Sequence, residues 1–541
     1  MPIRMTDDPQ DPEQYNDNSG GGGGFPGRGG GGGFPGGGGG LIGLLPLLLS
    51  LFRGKGLLVI LVIGGLLYFV MGRGGCNMGS VGNLAQLATG GFLDPRQFER
   101  AAIYEPLAED NSKNPLPEAA NLQRFAPAVG DQGAQGSCVA WSSAYGARTI
   151  LEASKSGQDP NSVRFSPAFL YNQIGLDGCQ GSYIVRAMEF MTKQGAVPYE
   201  QFPYTDQDCS RTPSQEQVRE AGQFRMRGFN RLSQGDCTDA IDLRAIKENL
   251  AQGAPVVIGM MVGQSFMKDM MGKDVWIPSE SDRSMMGFGG HAMCVVGYDD
   301  RKYGGSFLIM NSWGKEWGVN GFAWVRYGDF NYYVREAYGV EPMHQMGVMA
   351  NTPLTGEIGL MEVVNTGKKV EPKGYITLKQ GTGNQFVTTS SLRAGSLFKM
   401  EVKNSSECYV YVFGKETDGT SYTLFPYPNK DDQSKTKYSP FCGITGYRLF
   451  PKDKSMTPDS IGTRDMITVV LSKQPLDWYA INTAISKNPG TDYSTRVNNA
   501  LGSKLLKSAG YSTTARGTMQ FSGNSDPDQI MACVVEITKN R

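Results

Sequence analysis

The sequence predicts an α+β domain followed by an all-β domain, and three observations carry that expectation. Its 541 residues exceed what a single hydrophobic core organises and call for two or more domains. Between residues 116 and 341, helix-like segments come first and strand-like segments later, the order of an α+β fold. From residue 353 the texture changes to short alternating strands separated by turn-rich spacers.

The helices of the first part are an Ala-rich amphipathic run at residues 139–154 and a second at residues 183–193. Its strands include AMCVVGYD (residues 292–299) and SFLIMNSW (residues 306–313). In the second part, GYITLK (374–379), FKMEVKN (398–404), CYVYVFG (408–414), YTLFPY (422–427) and MITVVLS (466–472) read as strands. A short helical insert at residues 476–486 and a last strand, IMACVVEIT (530–538), complete an expected antiparallel β-sandwich.

Composition excludes some functions. Lys plus Arg and Asp plus Glu both number 52, so there is no basic excess for a dedicated nucleic-acid binder. Two histidines and no C-x-x-C pair leave the ligand sets of ordinary structural zinc sites missing, and neither a metal nor a cofactor is expected.

Ahead of the folded part, 16 of the 21 residues from 20 to 40 are Gly, a low-complexity tether whose ordering would cost too much backbone entropy. Two apolar stretches follow, residues 41–52 and 57–71. The second sits in an uncharged run of 17 residues, 56–72, about 25 Å of helix, and reads as a single membrane anchor. A cleaved signal peptide would need a short basic leader and a small-x-small site, whereas 55 residues precede this run and GRGGC follows it. Arg53 and Lys55 stay cytoplasmic by the positive-inside rule, which places the remainder on the extracytoplasmic side, periplasm or cell surface. Cys76 lacks a lipobox before it. The expected domains are a tail (1–55), the anchor (56–72), a linker (73–115), the α+β domain (116–345) and the β-sandwich (353–541).

Chemistry gathers at Cys138, where the Gly-rich turn of GDQGAQGSC opens the first helix. A thiol in the first helical turn meets the positive end of the macrodipole, which favours thiolate and lowers its pKa. His291, in GFGGHAMCVVGYDD, has a rigid mount at a strand edge, from which an imidazole can take a thiol proton and later protonate a leaving amine. Asn311, opening NSWGKEWGVNGF, can fix the imidazole tautomer, with Trp313 as a shield from water. Gln132 can aim a side-chain N–H at a developing oxyanion beside the Cys138 N–H.

These blocks, DQGAQGSCVAW, GHAMCVVGYD and NSWG with Trp317-Gly318 and Gly321-Phe322, resemble the papain family of cysteine peptidases in residue content, order and spacing. The resemblance covers residues 116–341 and implies a two-lobed papain-like fold, a helical lobe carrying Cys138 against a β-barrel-like lobe carrying His291 and Asn311. It implies Cys138 as nucleophile, His291 as general acid/base, Asn311 as orienter and Gln132 as oxyanion donor, acting on a protein or peptide substrate. Gly181, Ser182 and Tyr183 would line the cleft, Ser182 where backbone meets substrate. Tyr183 and Ala292 would flank the pocket for the second residue before the scissile bond, and Gly290 would leave it open and uncharged, favouring apolar or aromatic side chains.

The chain departs from the family at Val139, where Trp is usual, and at Gln135, where a Cys usually pairs with the one matched by Cys179. Cys179 with Cys209, and Cys408 with Cys442, are the pairings left open. Residues 77–114 are short for the family's helical propeptide, so self-inhibition by that segment is not expected. His344 has no partner motif, and the sequon at Asn404 fits chance. The expected function is a membrane-anchored cysteine peptidase working through an acyl-enzyme; the alternative is a non-catalytic surface scaffold acting through the β-sandwich.

Overall fold

The helix that begins at Cys138 is buried almost all round, polar Ser143, Arg148 and Thr149 included, and it is correspondingly central. It runs Cys138–Ala140, widens into π-helical turns over Trp141–Arg148, and continues as Thr149–Ser156. Val139, Ala144, Ala147, Ile150 and Leu151 are buried. Gly157, at φ 70°, ends it in the left-handed conformation that glycine adopts without strain. Helices Pro167–Ile174 and Ile184–Lys193 pack around it to make the helical lobe.

The computed structural model describes residues 2–9, 90–233, 241–285, 288–343, 352–429, 432, 435–487 and 491–540. The Gly-rich tract, both apolar stretches, Cys76 and His344 lie outside the described residues. Among the described residues no helix is long and apolar enough to cross a membrane.

Against the helical lobe stands a sheet of eight strands. Its path runs Phe229–Arg231, Val334–Val340, Val256–Val262, Gly289–Asp299, Ser306–Met310, Phe322–Arg326 and Val275–Trp276, with Ala119–Asn121 beside the far end of Gly289–Asp299. The expectation of a β-barrel-like lobe is corrected here: among the described residues the path has two edges and does not close. Val256–Val262 is buried at every position and Gly289–Asp299 at nearly every one, as their unbroken apolar sequences require.

The C-terminal region holds two further eight-stranded sheets. Leu354, Ile358, Phe398 and Val402 from one share a single core with Val410, Val412, Val469 and Val535 from the other, the inner faces of a sandwich. Two details differ from the sequence expectation. Gln385–Thr388 and Leu392–Arg393 pair in parallel with Ile530–Asn540, so the sandwich is mixed. Residues read as part of the tail, Ile3–Asp7, add an edge strand against Lys454–Pro458. Cys408 and Cys442 face each other on paired strands and remain free thiols. Asn404 is buried, donates to the carbonyls of Ser406, Cys442 and Ile444, and is no glycan acceptor in the folded chain.

Residues 101–114, read as linker, are instead sewn between the α+β domain and the sandwich. The Ile103 N–H donates to Lys437 O at 2.8 Å and the Tyr104 N–H to Arg231 O at 2.9 Å. Arg448, fully buried, donates to Glu105 O, Asn404 Oδ1, Tyr104 OH and Ile444 O. A buried guanidinium is tolerable only with its donors satisfied, and these four acceptors do that while binding three chain segments together.

Candidate active site

Cys138, His291, Asn311 and Gln132 come together where the helix start meets the sheet. The Ala292 N–H lies 3.4 Å from Cys138 Sγ, which brings the His291 strand against the first helical turn. His291 Nε2 is 2.7 Å from Asn311 Oδ1, and the ring stacks on Trp313 at 4.3 Å between centroids and 20° between planes. Asn311 Oδ1 also accepts from the Ser312 N–H at 2.8 Å, which holds the amide in place. With Nε2 engaged by Asn311, Nδ1 is the ring nitrogen that can exchange a proton with the thiol.

Gln132 is fixed by partners the sequence did not single out. Ser312 Oγ donates to Gln132 Oε1 at 2.7 Å, and Gln132 Nε2 donates to Gln135 O at 3.0 Å. The amide carries a second N–H, the one an oxyanion can use. Tyr204 braces the turn from beneath: its hydroxyl donates to Gln132 O at 2.7 Å and lies 2.7 Å from Ser137 Oγ. Cys179 bonds to Cys209, closing the loop that carries Gly181 to Tyr183.

The expectation of a lowered thiol pKa is corrected. Cys138 has no exposed surface, and burial pushes its thiol up to about 12 despite the Ala292 N–H. Across the cleft runs a strap, residues 90–93, that passes between the lobes. The Gly91 N–H donates to Gly290 O, the Phe92 N–H to Ser182 O, and the Ser182 N–H to Gly90 O, each at 3.0 Å. Gly181, at φ 145°, and Gly290 make room for it: a Cβ on Gly181 would lie 2.3 Å from Gly90 O, and one on Gly290 2.2 Å from Gly91 O. Phe92 meets Tyr183 at 5.9 Å between ring centroids. Four residues of the segment 77–114, short as it is for a helical propeptide, are thus held in the cleft by three backbone hydrogen bonds.

On the pocket side of the sheet stands the carboxyl group of Glu336. Glu336 lies across the sheet from Gly259, and Gly259 from Ala292, so the three share one face. A Cβ on Gly259 would sit 2.7 Å from Glu336 Oε1 and 2.8 Å from Leu93 Cδ2. Burial pushes Glu336 up to about 8. Glu336 stands in the strand Val334–Val340, buried at every position but Arg335.

Residues 117–343 match the family described as papain family cysteine protease. The chain is 29% identical over 200 residues to an uncharacterized peptidase C1-like protein of Acanthamoeba polyphaga mimivirus, covering 36% of this chain and 62% of that protein. It is 26% identical over 247 residues to cathepsin K of Mus musculus, covering 44% of this chain and 68% of the relative. Among solved structures, xylellain, a cysteine protease from Xylella fastidiosa, is similar at 24% identity and a TM-score of 0.40, over 49% of this chain and 100% of that one.

Proposed function

Residues 117–343 are a papain-family cysteine protease domain, and from that premise we propose that the chain hydrolyses peptide bonds with Cys138 as nucleophile and His291 as its acid and base. The carrying observation is the His291–Asn311 hydrogen bond of 2.7 Å beside a strand whose next N–H reaches Cys138 Sγ. Once the strap leaves and water enters, the desolvation that holds the thiol neutral is relieved, and the helix start and an imidazolium favour thiolate. Sγ attacks the scissile carbonyl carbon. The oxyanion takes the Cys138 N–H and the second Gln132 N–H. His291 then protonates the departing amine, and later removes a proton from the water that hydrolyses the thioester.

Asn311→Ala should lower kcat/KM about tenfold, the value of one charge-assisted hydrogen bond to the ring. Steady-state hydrolysis of a reporter peptide measures it.

The site of action belongs to the same proposal. The uncharged run at residues 56–72 behind Arg53 and Lys55 supports a single anchor with the peptidase on the extracytoplasmic side. The Cys179–Cys209 bond supports an oxidising compartment. An epoxide-type thiol reagent tests the function, with the modified residue mapped by mass. Label on Cys138 together with cleavage of a peptide library is the expected result; neither label nor cleavage after the strap is opened would return the chain to the non-catalytic scaffold reading. An impermeant version of the reagent on intact cells tests the compartment: label that appears only after lysis puts the domain inside.

A further inference from the structure

Lys539 is a cation shut inside the β-sandwich between two carboxyl groups. It lies near the end of the final strand, Ile530–Asn540, and Asp465 near the start of the neighbouring strand, Arg464–Ser472. Asp465 stands opposite Ile537, so Lys539, two residues on, is its diagonal neighbour on the same face. That face is the inward one, for Ile467 and Ile537 both belong to the sandwich core. Asp459 comes from the other sheet, just beyond the strand Lys454–Pro458. All three side chains are buried.

Lys539 Nζ lies 2.7 Å from Asp459 Oδ1, 2.7 Å from Asp465 Oδ1 and 2.7 Å from Ile461 O. Asp459 Oδ1 also accepts from the Ile461 N–H at 3.0 Å. Asp465 Oδ2 is buried without a hydrogen-bond partner. One ammonium cannot neutralise two carboxylates, and an excess buried charge is costly, so one carboxyl of the cluster holds a proton. Asp465 is that carboxyl: burial pushes it up, against the pull of Lys539. By contrast, Lys399 Nζ pairs with one carboxylate, Asp8, and donates to the carbonyls of Pro451 and Lys452.

We propose that Lys539 and Asp465 join through a side-chain amide, a covalent cross-link between the last strand and its neighbour, with Asp459 as the proton carrier. A nitrogen 2.7 Å from a carboxyl oxygen is about 3.5 Å from its carbon, the separation of a near-attack arrangement. Asp459 takes a proton from the Lys539 ammonium and leaves a neutral amine. Its lone pair attacks Asp465 Cγ, and the Nζ–Cγ bond forms. Asp459 passes its proton to the Asp465 hydroxyl, the Cγ–Oδ2 bond breaks and water departs. Asp459 then recovers a proton from the nitrogen and ends neutral. Protons and net charge balance, and no oxidant or reductant is used. A buried ammonium and carboxylate give way to a neutral amide, in a site that holds the groups together and excludes water. The link closes residues 465–539 into a covalent loop, which restricts the unfolded chain as a disulfide does.

Mass spectrometry of the full chain, reduced and digested with trypsin, tests this. Cleavage after Lys539 should fail, and a branched peptide joining Asp465 to Lys539 should appear at the summed mass of its arms less about 18 Da, one water. Asp465→Asn should keep the link and shed ammonia instead, about 17 Da; a loss still of about 18 Da would overturn the assignment to Asp465. Lys539→Arg and Asp459→Ala should each yield unlinked peptides, and a link that survives Asp459→Ala overturns the part given to Asp459. The wild-type digest is decisive without any variant having to fold. Normal cleavage after Lys539, with both peptides unmodified, overturns the inference and leaves an ion-pair network only.

Discussion

Cys138→Ala should lower peptide hydrolysis by about 10⁴-fold or more, measured in the full chain with the strap loosened. The thiol is the atom proposed to form the acyl-enzyme. The other free cysteines of the described residues, Cys294, Cys408, Cys442 and Cys533, are buried within strands and held neutral by that burial, so none can substitute. His291→Ala should cost nearly as much. The pair acts as a unit, so the double variant should be little worse than either single one, the non-additivity expected when one group activates the other. Product formation under single-turnover conditions reads all three variants. Loss of activity with an unchanged circular dichroism spectrum separates chemistry from folding.

Leu93→Asp should raise the rate of Cys138 alkylation by about 100-fold. Wild-type Leu93 buries aliphatic surface worth about 2 kcal/mol. Replacing it by a carboxylate over Glu336 removes that burial and forces a charge out of water beside a neutral carboxyl, together about 3 kcal/mol against the closed strap. Each 1.4 kcal/mol is about a factor of ten in the open population, and the reagent reads that population. The wild-type strap should itself depend on pH. Glu336 is pushed up to about 8 under Leu93 by burial, with Tyr338 OH and the Arg231 charge acting in the opposite direction. The closed state therefore binds a proton more tightly than the open one, whose carboxyl is nearer its ordinary value of 4.5. The resulting stabilisation is fully present below the ordinary carboxylate range and is lost as pH rises through the closed-state value. Cys138 should become more accessible between pH 5 and 8, relative to a Glu336→Gln control that lacks this component.

The legible parts of the molecule were those with a strong local signature. The Cys138 helix, the His291 strand and Asn311 sit in apolar runs bounded by glycines, and each appears within a few residues of its expected position. The sandwich strands with clean alternation were equally visible. What escaped depended on contacts between distant segments. Ile3–Asp7 becomes a strand only because Lys454–Pro458 offers an edge. The strap has no periodicity at all; its conformation comes from hydrogen bonds to Ser182 and Gly290. Glu336 sat in plain view in a strand, but its role follows from Gly259 on the next strand, a pairing that no local pattern encodes. The pKa of Cys138 obeys the same rule: the helix start is a local feature, whereas the burial that raises the thiol comes from residues distant in the chain.

Alkylation kinetics at Cys138 give the sharpest single answer. The full chain, its Leu93→Asp variant, and Leu93→Asp combined with His291→Ala are exposed to an epoxide-type thiol reagent, and the modified residue is located by peptide mapping. Label confined to Cys138, slow in the parent, about 100-fold faster with Leu93→Asp and lost again with His291→Ala, is the predicted pattern. Label at another cysteine, or a Cys138 rate indifferent to both Leu93 and His291, would contradict a strapped thiol–imidazole peptidase.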